Sequence, residues 1–356
     1  MNSNNPLPMV HTPSASRIAY LDFLRILAIL LVLFNHKPAF TLFMNAGSGF
    51  KSYAYAAMSV IDKINVPLFF MVSGALLFSK NESLEVVLKR RCLRIVVVIC
   101  AVGSLYYVIA GKGPLSALPI ALLNCDIHLS YWFLYAYLGM LFMLPWLRKI
   151  VNGFSRVDFC YLVILHFVLA SMIRIANLLL YRASIGAIEL HYFSIPLAAE
   201  KAIFYVLCGH YLANVLHDKE VTKEQVARFL LAALICTALS CALIQYQGAI
   251  MGFSQTFVEV FDYVIAFAAF LLFRWLFLCG KLTFLRTPAA LLSSLVFGIY
   301  LIDPFLSLLI WPSLQEILEP MLPTLLVTLI WCAVSFTGGG LLTYLLKKNR
   351  VIRRYI

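Results

Sequence analysis

Ten apolar runs, each close to the length of a membrane-crossing helix, follow one another along this chain with short polar connections between them. Their approximate bounds are 22–40, 59–78, 93–110, 129–147, 159–180, 194–215, 229–246, 257–277, 291–311 and 322–346. A helix needs roughly 20 apolar residues to cross a hydrocarbon layer about 30 Å thick, and lipid offers no partner to an unpaired peptide group. The expected fold is therefore all-α, a polytopic integral membrane protein of about ten transmembrane helices. Charged residues make up 12% of the 356 and hydrophobic residues 63%, which is about half the charge of an ordinary soluble protein. No polar block is long enough for a soluble domain. The expected organisation is a tail at 1–19, a transmembrane domain at 20–346 and a basic tail at 347–356. The first run ends in NHKPAF rather than a small-residue cleavage site, so it is expected to be kept.

Threading the ten runs alternately places twenty of the 28 Lys and Arg on the side of the two termini. Six lie on the other: Lys37, Lys51, Lys63, Lys112, Arg182 and Lys201. Cytoplasmic loops carry the excess of cations, so both termini are expected in the cytoplasm. The net charge of +12 then reports topology, and no nucleic-acid partner is expected. The nine cysteines are scattered, mostly inside apolar runs, with no metal-ligand spacing. No metal is expected. The glycine run Gly338-Gly339-Gly340 lies inside the last helix and reads as a close helix contact or a flexible point rather than a phosphate loop.

Chemistry concentrates in the first run, YLDFLRILAILLVLFNHKPAF, which carries Asp22, Arg25 and His36. Ionisable groups at membrane depth are costly and mark function. Arg25 and His36 are three helical turns apart, about 16 Å along one face, and Asp22 is one turn from Arg25. A neutral imidazole serves as a general base near neutral pH, and the guanidinium fork suits phosphate, carboxylate or amide oxygens. The plainer alternatives are a structural histidine and an Asp22–Arg25 pair that only neutralises itself.

Other stretches add to this. LKRRCLR puts Lys89, Arg90, Arg91 and Arg94 at a helix start, where Arg91 and Arg94 could hold a phosphorylated ligand or simply meet anionic lipid. In NVPLFFMVSGALLF, the pair Ser73-Gly74 lets a helix or a ligand chain approach closely. On the opposite side, Asp126, His128, Tyr131 and Trp132 precede the fourth run, while Glu189, His191, Glu200 and Lys201 flank the sixth. These suit a sugar-facing mouth, or anchor the protein at the interface. Asp303 stands before Pro304, where a neighbouring cation would satisfy it.

Taken in order, the R-x10-H of Arg25 and His36, the VPLFFMVSG segment, the R-x-x-R of Arg91 and Arg94, the WFL at Trp132 and the late GIYLIDP resemble the acyltransferase 3 family of bacterial membrane O-acyltransferases. The layout is similar to the subgroup that acetylates enterobacterial common antigen. The resemblance spans nearly the whole chain. It implies a protein of the bacterial cytoplasmic (inner) membrane that moves an acyl group, by default acetyl, from cytoplasmic acyl-CoA to a hydroxyl of a cell-surface glycan or glycolipid precursor. Acyl-CoA is then a donor substrate rather than a bound cofactor. In that scheme His36, Arg25 and Asp22 are catalytic, with His36 either deprotonating the acceptor hydroxyl or taking the acyl group itself before passing it on. Arg25, Arg90, Arg91, Arg94 and Ser73 hold the acyl-CoA, and Trp132, His128, Tyr131, Glu189 and Asp303 meet the acceptor. Further partners are membrane lipids and a second copy of the chain.

Two departures stand out. Many members carry His where this chain has Asp303, so that histidine's role does not transfer. Some members add a soluble C-terminal domain that completes transfer; here the chain is expected to hand the acyl group on directly or through a partner. A rival reading is a transporter or exporter of a glycan or lipid-linked intermediate, which would need no acyl-CoA. Its usual mark, paired broken helices in matching halves, is missing.

Overall fold

The computed structural model describes residues 15–47, 49–78, 82–189 and 201–356, with side chains from residue 19 onward. Among the described residues the chain is helical, with no β-strand. The first helix, α1 (Ala15–Asn35), has an uninterrupted apolar interior and stops where Pro38 forces it to. Lys37, the residue before the proline, is driven into extended backbone (φ −124°, ψ 161°). The chain resumes as Pro38–Asn45, turned by 75° from α1.

The corner is pinned by Lys37. Its ammonium donates to Ser307 Oγ at 2.9 Å and lies 4.3 Å from the ring centres of both Trp311 and Trp331. A cation between two aromatic faces is attracted by both. Lys37 is 7% exposed, so it is not the loop cation that the charge count takes it for.

Two helices follow, α2 (Phe50–Asp62) and α3 (Asn65–Leu77), which together make one long span, Phe50–Leu77. Next come α4 (Leu84–Ile109), α5 (Leu129–Val151) and α6 (Arg156–Arg182). Within α4, Val87–Cys92 forms a π-helical turn. At the start of α6, the Ser155 and Asp158 side chains cap each other's backbone N–H groups. After the undescribed residues come α7 (Lys201–His210), α8 (Lys223–Met251) and α9 (Asp262–Leu278). The chain ends with α10 (Arg286–Ser293), α11 (Val296–Leu309), α12 (Trp311–Leu318) and α13 (Thr324–Leu346).

Among the described residues, six helices are long and apolar enough to cross a membrane, and up to nine spans result if each bent pair is one. The bends are the corner after α1, 99° between α9 and the stretch that ends in α10, and 59° between α11 and α12. Each expected run overlaps a helix, though the first reaches past the corner at Pro38 and two others need qualification. Residues 194–200 of the sixth run lie outside the described residues. The run 291–311 is divided: α10 turns away from α9 and packs on α1, and the span proper starts at Val296.

α1 stands at the centre, packed against α3, α9, α10, α11 and α13, with Leu24, Ala28, Ile29 and Leu33 fully buried. α3 and α7 meet backbone to backbone. A Cβ on Gly74 would fall 1.8 Å from the carbonyl oxygen of Val206, and one on Gly209 would fall 2.0 Å from that of Met71. α11 and α13 also touch through glycines: Gly298 faces the Thr343 side chain, and a Cβ on Gly339 would lie 3.5 Å from Ile299 Cα. The glycine run is thus a helix contact, as expected.

Arg274, one of the twenty cations counted to the side of the termini, is not a loop residue. It is 0% exposed in α9 and donates to the carbonyls of Leu212 and Leu216, the latter at 2.8 Å, and to Asp218 Oδ1 at 2.5 Å. These are the orphan carbonyls where the helix that begins as α7 ends, so a side chain from another element caps it. Arg274→Met should lower stability by about 2–4 kcal/mol, mostly from buried carbonyls left unpaired; the half-exposed Asp218 adds little. A thermal melt of the purified protein checks this, and an unchanged midpoint would show that the cap is dispensable.

Candidate active site

One cavity of about 420 Å³ runs through the bundle. The two halves of its wall differ in charge. Arg25, Arg90, Arg91 and Arg94 line one end; Lys63, Lys201, Glu259 and Asp262 line the other; His36, Ser130 and Trp132 also open on it. The order follows from α1 and α3. Arg25 lies three turns before His36, and Lys63, whose ammonium is 4.8 Å from the Phe40 ring centre, lies beyond it.

His36 directly follows the last turn of α1, with its N–H bonded to the Val32 carbonyl, where the helix breaks for Pro38. Its Nδ1 is 2.9 Å from Asp303 Oδ2, and its Nε2 is 3.2 Å from Ser130 Oγ. The other oxygen of Asp303 accepts from Ser335 Oγ at 2.7 Å. With Asp303 as a carboxylate, which only accepts, Nδ1 donates to it and Nε2 is left free to accept. This arrangement fixes the imidazole's tautomer and aims its basic nitrogen at the cavity. Asp303 is 1% exposed and both of its oxygens are engaged. Expected to meet the acceptor, it stands behind His36 instead, and its partner is an imidazole rather than a permanent cation.

The stretch before α5 supports the same point. Tyr131 is buried, donates through its hydroxyl to the Leu301 carbonyl at 3.1 Å, and does not line the cavity. The His128 side chain accepts from the Ser130 N–H at 3.1 Å. Burial, reinforced by the nearby His36, lowers its pKa to about 4, so it stays neutral. Of the residues expected at the acceptor, Trp132 does line the cavity. Glu189 lies in the exposed stretch after α6, off the cavity wall. His191 and Glu200 lie outside the described residues.

At the arginine end, Arg25 Nη1 is 3.1 Å from Asp22 Oδ1, which also accepts from Ser293 Oγ at 2.8 Å. Arg91 is already committed. Its Nε and Nη2 bind both oxygens of Glu82, at 2.6 and 2.8 Å, and Arg148 reaches the same carboxylate at 3.4 Å. Hydrogen bonds from Arg91 hold the Glu82 carboxyl below the usual range. Arg94 donates to the Tyr355 carbonyl at 3.0 Å and lies over the Phe297 ring. Arg90 is exposed and makes no ion pair among the described residues. The π-helical turn brings all three arginines to one wall, a pattern that functional sites often show. Ser73 also lines the cavity, although its hydroxyl is bonded to the Phe69 carbonyl at 2.8 Å.

The opposite end joins Lys63 and Lys201, which the sequence reading placed on that side, to Glu259 and Asp262, which it passed over. Lys63 and Lys201 both bind Glu259, the former at 3.1 Å, and Lys201 lies 3.9 Å from Asp262 Oδ2. Between them, Lys63 and Lys201 engage both oxygens of the Glu259 carboxylate. Glu259 and Asp262 stand at i, i+3 inside an apolar run. The argument that singled out Asp22 and Arg25 would have found them. Ser130 gave no such signal, because a serine in an aromatic-rich turn is commonplace.

A buried carboxylate, an imidazole and a hydroxyl in hydrogen-bonding sequence, with cations to one side, make a site competent to remove a proton from an alcohol and to hold an anion. No curated protein and no solved structure matches the chain. The family model described as an acyltransferase domain, that of the acyltransferase 3 family, matches residues 18–344. Every cavity-lining residue named above lies within that stretch. The chain belongs to this family, and with its many apolar helices it is a multi-pass membrane acyltransferase.

Proposed function

We propose that this acyltransferase takes a short acyl group, most simply acetyl, from cytoplasmic acyl-CoA and transfers it to a hydroxyl of a surface glycan or its lipid-linked precursor, at the bacterial inner membrane. The observation that carries the reading is the aligned His36–Asp303 pair on the wall of a cavity whose one end is lined by arginines. Phosphates of the donor suit the Arg90, Arg94 and Arg25 end, which faces the cytoplasm if both termini do. The span of about 16 Å from Arg25 to His36 suits an extended arm that brings a thioester to the imidazole. Arg91 contributes less than its sequence position suggests, since Glu82 holds its fork. The acceptor would come from the Lys63–Glu259–Lys201 end, where ammonium and carboxylate groups together match hydroxyls that both donate and accept. An acceptor like that of the enterobacterial common antigen subgroup fits this scheme.

His36 Nε2 takes the proton of the attacking hydroxyl, Asp303 stabilises the imidazolium that results, and Asp22 steadies Arg25. The test is acetyl-CoA turnover by purified protein in lipid nanodiscs. Wild type should release free CoA slowly. Arg25→Lys should lose at least about tenfold in kcat/KM, because it keeps the charge but loses the fork. If the wild type neither bound nor cleaved any short acyl-CoA, the donor assignment would fail and transport of a glycan intermediate would become the better reading.

A further inference from the structure

Ser130 is the hydroxyl that meets the base. Its Oγ lies 3.2 Å from His36 Nε2, and it stands on the cavity wall at the end of a hydrogen-bonded series running from Ser335 through Asp303 and His36. Its backbone is held from both sides: the N–H donates to His128 Nδ1, and the carbonyl accepts from the Tyr300 hydroxyl. The contrast with Ser155 is informative. Ser155 opens α6 by accepting a backbone N–H on its own hydroxyl, the ordinary use of serine at a helix start. At the start of α5 that task falls to His128, and the Ser130 hydroxyl is released toward the imidazole. Ser130 also occupies the first turn of a span of more than twenty residues, where the helix dipole favours a developing negative charge.

We propose that Ser130 is the nucleophile of a two-step transfer, in which the acyl group rests on its oxygen as an ester before reaching the acceptor; this rests on the acyl-CoA reading above. In the first step, Ser130 Oγ attacks the thioester carbonyl and its proton passes to His36 Nε2. The C–S bond breaks, and CoA leaves as the free thiol by taking that proton. In the second step, the acceptor hydroxyl attacks the serine ester and gives its proton to the same nitrogen. The C–Oγ bond breaks, and Ser130 recovers the proton. Nothing is oxidised or reduced. The relation among carboxylate, imidazole and hydroxyl is that of hydrolytic triads on unrelated folds, which are recognised by geometry rather than by sequence order.

The experiment mixes isotope-labelled acetyl-CoA with purified protein in nanodiscs without acceptor, quenches in acid, and measures both early CoA release and the peptide that carries the label. Wild type should give a burst of about one CoA per chain and an acid-stable label on the peptide containing Ser130. Ser130→Ala should lose burst and label together, and its transfer rate should fall at least about a hundredfold. Ser130→Cys should retain a label, now as a thioester released by neutral hydroxylamine; it decides the matter if the alanine variant does not fold. The proposal is overturned if the label sits on His36, if CoA is released with no label on the protein, or if Ser130→Ala transfers within tenfold of wild type. Absence of any CoA release from wild type is a different failure and refutes the donor assignment itself.

Discussion

Acyl transfer should fall to background in His36→Ala, and Asp303→Asn should lower kcat by about 10²–10⁴, the range found when an imidazole base loses its carboxylate partner. The histidine variant removes the nitrogen that faces the cavity. The asparagine variant is the sharper test, because it keeps the shape of the buried site. Asp303 now accepts from Nδ1 at 2.9 Å. An amide in its place can present N–H₂ to Nδ1, which moves the imidazole proton to Nε2 and leaves no lone pair facing Ser130. It also withdraws the charge that would stabilise the imidazolium. Both effects act on kcat more than on the KM for acyl-CoA, since neither touches the arginine end. Steady-state kinetics in nanodiscs, with melting curves to show that both variants remain folded, would measure this. Asp303→Asn activity within threefold of wild type would leave the buried carboxylate with a structural role only.

The second large effect concerns the scaffold. Gly74→Ala should prevent normal assembly or cost well over the roughly 1–3 kcal/mol that overpacking a side-chain contact costs. The obstruction here is backbone: the new methyl would sit 1.8 Å from the carbonyl oxygen of Val206, so α3 and α7 would have to part. Gly209→Ala should behave alike, as its methyl would meet Met71 from the other side. Gly139 supplies the control, since nothing lies within 4 Å of a Cβ there and alanine favours a helix interior. Monodispersity in size-exclusion chromatography and melting temperature would be compared across the three variants. A Gly74→Ala protein that melts with wild type would mean that the crossing is looser than described. Ser73 and Asn65 reach the cavity from α3, so a parted crossing should also weaken activity in any variant that survives.

Much of this molecule could be read from its residues one window at a time. Apolar runs locate the helices because lipid leaves an isolated segment no other way to satisfy its peptide groups. The Asp22–Arg25 pair is equally local, one helical turn apart. What escaped notice depends on distant partners. Nothing near His36 in sequence announces Asp303, which lies 267 residues away and reaches it because α11 packs on α1. Arg91 looked available until Glu82, nine residues back, closed on its fork. Lys37, Lys63 and Arg274 were counted as loop charges by position alone, and Lys201 as a loop charge at a polar mouth. Each is buried or partly buried and has a partner, which a window of neighbouring residues does not reveal. The division of 291–311 escaped for another reason: Ser293-Ser294 is a mild breaker inside an apolar run, and only packing against α1 decides where the helix stops.

The corner after α1 has a consequence for the depth of the site in the surrounding lipid. At about 1.5 Å per residue, Ala15–Asn35 advances roughly 31 Å before the chain turns aside, close to the hydrocarbon depth of about 30 Å in an average bilayer. A central helix of that length has little to spare, so if it stands upright its far end, and the imidazole beside the corner, would lie near the edge of the oily layer rather than at its middle.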